Sequence, residues 1–567
     1  MSSSNNIIVQ EYLSSLKEDN ELDSLFPILL NVMGFHIIQT AKEAKGQSQY
    51  GKDIIAIGKD KNGIKHKWYF ELKGYKDRDI TDKNFTIPDG VLESIREAKF
   101  AAFDDSSIPE FNHLPLKIVV VHNGILKPNI RPTFEGFISK EFKPGEFERW
   151  DIYYLTDLFS RYLFSEYLLS DSESNRLFKR TLAFLDAADN DFADLKQLIE
   201  IQFDKVSSIK GRAFKKLFAT LNLVTSIIFH YSKENDNLIA AKECSDYIVL
   251  RTWAWILKSK FEKKQSVLNE FRKLLKTQYQ ILNSYFLKTF SIATIEDGLY
   301  AENGDNFEAI GYPLRCFEYI SDLIYYCNLR LYLPNFKKKS NAYTKIHNRQ
   351  KDKIITLIKN NPGFFRPLLD NHSIPILQLF MFFIDKSTWR QKDVDFIASY
   401  VFGVITGLIV IKKQRGRFPE GYNRINLLVE YVSTNSKPQE YIDDSSILIA
   451  VLFELLVIFN AKDMYENLKK HIGENMHLQI AHPNVKDFDI EQIMFERHMD
   501  EEYYIEGPFS LVNTFEDLKE KTKTRGFDKI NYRTDNAGFS FLRILAHKYF
   551  KNEIFPNEWR GIISEMT

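Results

Sequence analysis

Two short apolar runs, Ile54–Ile57 and Trp68–Leu72, flank a polar stretch, Gly58–Lys67, that contains Asn62-Gly63. An Asn-Gly pair between apolar runs is the strongest short-range hairpin signal, because both residues accept the positive φ that a tight turn demands. A hairpin here also fixes which side chains share a face. With a period of two, Glu71 and Lys73 project to one side while Leu72 points the other way into a core. Asp53 opens the first run, so two carboxylates and a lysine converge at one end of a small sheet.

The flanking sequence supplies a frame for that sheet. Ile7–Leu16 has apolar residues at helical spacing, and Leu22–Met33 reads as a helix stopped by Gly34, with a strand from Phe35. Pro27 falls inside the second helix and is expected to bend it or move its start. Asp77–Asp89 reads as loop, Gly90–Phe103 as an amphipathic helix, and Leu116–Val121 as a short buried strand. A further strand over Trp150–Tyr154 and a closing helix over Leu155–Leu169 complete an α/β domain over residues 1–169.

A small, polar, acidic stretch at 170–176, containing SDSESN, reads as a linker, and the texture changes after it. From 177 to 567 nearly every apolar run has helical length or period, without a fixed repeat. The lysine-rich stretch Lys337–Lys353 is expected to divide this region, and Met476–Asn536 to contain loops or a few strands. The fold class is therefore multidomain: an N-terminal α/β domain followed by a large, mostly α-helical region.

Three runs in the helical part are strongly apolar: Ile374–Ile384, Phe396–Ile411 and Ile447–Phe459. The middle one carries Gly403 and Gly407 at Gly-x-x-x-Gly spacing before a basic KKQRGR, which imitates a membrane helix. Its 16 residues fall short of the ~20 that span a bilayer, and the third run contains Glu454, so buried helices are expected and no membrane partner.

Lys+Arg and Asp+Glu number 76 each, so any attraction to nucleic acid must come from a local patch rather than a global field. Between Lys42 and Lys83 lysines outnumber acids, which nominates Lys45, Lys52 and Lys76 as phosphate contacts. Three cysteines, Cys244, Cys316 and Cys327, show no Cys-x-x-Cys spacing, which argues against a disulfide framework and a zinc ribbon. With no signal-peptide pattern in MSSSNNIIVQEYL, a cytoplasmic location is expected.

Two carboxylates on adjacent strands with a lysine two residues after the second suit divalent-metal phosphodiester hydrolysis. Mg²⁺ takes oxygen ligands and binds through one or two carboxylates, waters and substrate phosphate, so Asp53 and Glu71 are the expected ligands. Mn²⁺ is the alternative ion. Lys73 is placed to orient a water and add positive charge near the phosphate.

Gly51-Lys52-Asp53, a spacer, and Phe70-Glu71-Leu72-Lys73-Gly74 together resemble the PD-(D/E)xK nuclease superfamily of restriction-endonuclease-like fold. Leu29-Leu30-Asn31-Val32-Met33-Gly34-Phe35 is similar to the helix ending of the Mrr-like branch. The resemblance implies Asp53, Glu71 and Lys73 as the catalytic core and Asp23, at the place of that branch's helix acid, as a helper. Two positions depart from the commonest Mrr-like pattern: Glu71 where Gln is usual, and Lys52 where proline precedes the acid. Neither removes a ligand. The resemblance covers about the first 165 residues and implies a metal-dependent endonuclease on DNA in preference to RNA. The architecture is similar to nuclease effectors of prokaryotic antiviral systems, such as the nuclease subunit of Lamassu-type systems. There the helical part would sense, form homo-oligomers or bind a protein partner. The competing class is a non-enzymatic helical scaffold carrying a degenerate nuclease fold.

Other patterns fit less well. Gly46–Asp53 matches all of a P-loop but its last position, where Asp53 and then a strand replace Ser/Thr and a helix. His471, His477, His482 and His498 lack metal-ligand spacing. Arg543 and His547 read as a helix face, and the basic helix around Lys258–Lys276 places its apolar residues inward and its lysines in solvent.

Overall fold

The computed structural model describes residues 3–41, 51–75, 77–88, 90–101, 103, 108, 111–164, 169–187, 191–206, 211–300, 306–334, 340–472, 476–505, 509, 511, 514–524 and 530–561. The chain forms two compact units, Met1–Ile248 and Val249–Thr567, and the division falls within the helix Leu238–Lys258.

The first unit is built on a five-stranded sheet in sequential order: β1 His36–Gln39, β2 Ile54–Lys59, β3 Lys65–Lys73, β4 Leu116–His122 and β5 Phe147–Trp150. β1, β2 and β3 pair antiparallel, whereas β4 joins β3, and β5 joins β4, in parallel. The hairpin is tighter than its polar centre suggested. Its turn spans Asp60 to Ile64, where Asp60 Oδ1 accepts from the Asn62 and Ile64 amides at 2.9 Å and Gly63 takes φ +80°. That leaves Gly58, Lys59 and Lys65–Lys67 in the strands.

Helices cover both faces, as the two-sided burial of β3 and β4 requires. On one face Phe26 of α2 (Asp23–Val32) meets Phe70 at 5.3 Å and Trp150 at 5.9 Å, while Phe35 meets Trp68 at 5.3 Å. On the other, Ile55, Tyr69, Ile118 and Val120 share a buried cluster with residues of α3 (Val91–Phe100) and α4 (Arg131–Glu141). α1 (Ser3–Ser15) packs beside α5 (Ile152–Tyr162) and the helix Arg212–Glu234.

Several boundaries depart from the sequence reading for local reasons. The strand expected at Trp150–Tyr154 ends at Trp150, because Asp151 caps α5 by accepting from the Tyr153 and Tyr154 amides at 3.1 and 3.2 Å. The expected linker 170–176 is instead a helix start: Asp171 accepts from the Ser174 amide at 2.8 Å and caps Ser172–Ala183. The same small polar composition serves a cap as readily as a linker. Within Lys337–Lys353 the residues from Asn341 onward belong to the helix Asn341–Lys359.

Among its described residues the second unit is helical, with two short strand pairs, Ser445–Ser446 with His477–Leu478 and His482–Pro483 with Tyr504–Ile505. The helix expected over Phe396–Ile411 runs further, Gln391–Arg415, and its 25 residues are long and apolar enough to cross a bilayer. Its glycines have a partner in this chain: a Cβ at Gly403 would meet the Phe365 ring at 2.6 Å, and one at Gly407 the Phe365 carbonyl oxygen at 1.9 Å. Ile447–Ile458 is buried, with Glu454 bonded to the Arg560 guanidinium.

Two buried carboxyls sit near each other in this unit. Ser373 Oγ donates to Glu553 at 2.5 Å, and Ser446 Oγ donates to Asp370 at 2.5 Å. Burial, reinforced by Asp370, pushes Glu553 up to about 8, and burial pushes Asp370 up to about 6 against its hydrogen bonds. Both groups bind protons more tightly folded than unfolded, so their contribution is complete below the ordinary carboxylate range and is lost as pH rises through these values. The thermal unfolding midpoint should therefore fall between about pH 5 and pH 8. Glu553→Gln should make that fall shallower, measured by tryptophan fluorescence across the range.

Candidate active site

The register of the hairpin brings the acids together. Ile54 pairs with Phe70, so one further step along the two strands sets Asp53 opposite Glu71. Directly opposed residues lie on the same face, as does Lys73 two residues on. Asp53 Oδ2 accepts from the Leu72 amide at 2.6 Å, which fixes the carboxylate over the end of β3. Lys73 Nζ lies 2.7 Å from Glu71 Oε1 and 3.8 Å from Glu18 Oε1.

Glu18 is the acid that sequence reasoning missed. Asp23, expected to be the helper, is the first residue of α2, and its Oδ1 accepts from its neighbour Ser24 at 3.3 Å. The described interactions do not join it to Asp53, Glu71 or Lys73. The chain before α2 breaks helical geometry at Asp19 (ψ 131°) and Asn20 (φ 59°), and Glu18 stands on the far side of that break. Four acids crowd Glu18–Asp23 in the sequence, and only the kink decides which one reaches the lysine. The kinked segment is tied down by Glu21, whose Oε2 accepts from the Lys17 amide at 2.9 Å and whose Oε1 pairs with Lys216 at 2.9 Å.

Burial governs the electrostatics. Asp53 is raised well above the usual carboxylate range by desolvation, then by Glu71 and Glu18, against the Leu72 amide and Lys73. Glu18 is pushed up to about 7 by burial, with Lys73 opposing and Glu71 adding. For Lys73 desolvation favours the neutral amine, but Glu71, Glu18 and Asp53 outweigh it and hold the ammonium above its ordinary range. His122, opposite Lys73 in the β3–β4 register, is lowered to about 4 by burial. Its Nδ1 donates to the Arg78 carbonyl at 2.9 Å, so it serves as a neutral strut. Asn123 ties the end of β4 to α1 by donating to the Leu13 and Leu16 carbonyls at 2.7 Å.

Of the lysines nominated for phosphate contact, Lys45 and Lys76 lie outside the described residues. Lys52 is only 3 % exposed, with its Nζ 5.3 Å from the Tyr69 ring centroid. Burial lowers it to about 8, against the attraction of Glu97 and Glu71. It belongs to the buried site rather than to an outer basic face, because β2 begins under α3.

Glycines at both strand ends make this approach possible. Gly51 takes φ +68°, and a Cβ there would lie 1.9 Å from the Ser94 carbonyl oxygen of α3. Gly74 passes under the kinked segment, where a Cβ would lie 2.3 Å from the Glu18 amide nitrogen.

Among the described residues no group of three or more His, Cys, Asp or Glu gathers as a ready metal cage. Asp53 and Glu71 form instead a two-carboxylate set of the kind Mg²⁺ uses when waters and phosphate oxygens complete its shell. Buried, mutually repelling carboxylates beside a charged lysine fit a site that takes a hard cation and an anionic substrate.

Gly74→Ala should push the Glu18 segment off the sheet, because the obstructing atoms are backbone. The expected loss is about 1–3 kcal/mol, read by urea unfolding. Gly136→Ala, at a helical position with open space around its Cβ, is the control that should cost little.

Comparison with protein-family models, with curated proteins and with solved structures finds no match to this chain.

Proposed function

We propose that this chain is a metal-dependent endonuclease that hydrolyses phosphodiester bonds in double-stranded DNA. The observation that carries the reading is the placement of Asp53, Glu71 and Lys73 on one face at the end of a hairpin continued by two parallel strands. Asp53 and Glu71 would hold Mg²⁺, with Mn²⁺ as substitute. When bound, the ion supplies positive charge against the scissile phosphate and acidifies a water. Lys73, kept as an ammonium by the surrounding acids, presents three donors to orient an attacking water or a phosphate oxygen. Glu18 adds a third carboxylate beside that lysine, and the Leu72 amide keeps Asp53 from turning away.

The reading extends by architecture to an antiviral defence effector, acting on DNA as a homo-oligomer or with a protein partner, whose helical region controls the nuclease. A general nuclease needs such control, and most of the chain lies outside the sheet.

Nicking of supercoiled plasmid in Mg²⁺ or Mn²⁺ tests the site. Glu71→Ala and Lys73→Ala should each lower the rate by about 10²–10³-fold. Calorimetric Mn²⁺ binding should be lost in Asp53→Ala. Nicking that survives both substitutions would remove the assignment. A wild-type chain that neither nicks nor binds Mn²⁺ would favour the scaffold with a degenerate nuclease fold.

A further inference from the structure

Three helices of the second unit, α6 (Gln265–Ala293), α7 (Tyr312–Tyr332) and α8 (Asn341–Lys359), enclose a groove of about 450 Å³ with α7 packed against both neighbours. That volume is in the range of small-molecule sites. Aromatic rings of Phe286, Phe290 and Tyr326 line it, and three cations rim it: Arg330, Arg349 and Lys353. Among the described residues no carboxylate lines the groove, and none of these cations has an ion pair. Lys353 instead sits over the Phe290 ring, 5.3 Å from its centroid. Elsewhere in the unit cations close to acids are paired off, as Arg390 is with Asp352 and Asp393.

A second, independent feature lies within the groove. Gln350 is 6 % exposed, and its Nε2 donates to the Cys327 carbonyl at 3.2 Å, an arrangement that fixes which way the amide faces. Its Oε1 is buried and has no hydrogen-bond partner. A buried acceptor left open is costly, by about 1–3 kcal/mol, and calls for an N–H or O–H donor. A fatty acid would satisfy the cations and the apolar wall but offers no donor at depth. A nucleobase offers N–H groups to Gln350, a flat face to the aromatic rings, and phosphates to the three cations.

We propose that this groove binds a free nucleoside di- or triphosphate, base inward against Gln350 and phosphates on Arg330, Arg349 and Lys353. The proposal does not depend on the nuclease reading, since every residue it uses lies in the second unit.

The test is isothermal calorimetry on the full chain in EDTA, which keeps a metal-dependent site out of the measurement. ATP, GTP, CTP and UTP are titrated separately, with adenosine, inorganic tripolyphosphate and an oligo-dT as comparators. At least one nucleotide should saturate at one per chain. The exposed pair Arg330→Ala/Arg349→Ala, checked for folding by circular dichroism, should weaken that binding at least about tenfold. Gln350→Leu should weaken nucleotide while leaving tripolyphosphate unchanged. No saturable nucleotide binding, equal affinity for tripolyphosphate, tighter binding of oligo-dT than of any nucleotide, or indifference to the Arg330/Arg349 pair would each overturn the proposal.

Discussion

The antiparallel register of β2 on β3 is the constraint on which the rest of the candidate site depends. A slip of one residue would carry Asp53 and its neighbours to the opposite face of the sheet. The Asp60 side chain closes the turn at one end of the hairpin, and the Leu72 amide captures Asp53 at the other. Between them the aromatic contacts of Phe70 and Trp68 with Phe26, Phe35 and Trp150 make any other register lose its core. The acids are thus brought together largely by aromatic packing, with the Asp53–Leu72 bond as a tie made by an acid of the site itself.

Legibility in the sequence followed the range of the interaction. The hairpin, the helix before it and the strand at Leu116 were readable because period and turn chemistry are local. Asp53, Glu71 and Lys73 followed, since strand alternation alone aligns the last two and the hairpin supplies the first. Glu18 was not readable: the choice between it and Asp23 rests on a backbone break at Asp19 and Asn20 that has no periodic signature. Lys52 looked like a surface cation because charge runs usually are, yet α3 closes over it. Asp151 and Asp171 show a related ambiguity, in which one polar residue reads as strand end, linker or cap until the amides it accepts from are known.

The second unit shows how composition misleads about environment. Gly403 and Gly407 on a long apolar helix have the spacing of a membrane contact, but the space they leave is taken by Phe365 of the same chain. Buried Asp370 and Glu553 would look like surface acids in any sequence count, although each is held by a serine hydroxyl in the interior. Net charge balance over 567 residues likewise conceals a groove whose charged described residues are the cations Arg330, Arg349 and Lys353.

The link from Glu21 to Lys216 joins residues 195 positions apart. A fragment cut after residue 169 would keep the whole sheet and every acid around Lys73, yet lose the cation that holds the kinked segment in place. The working length of the candidate site is therefore set by an anchor on the helix Arg212–Glu234, well beyond the last strand.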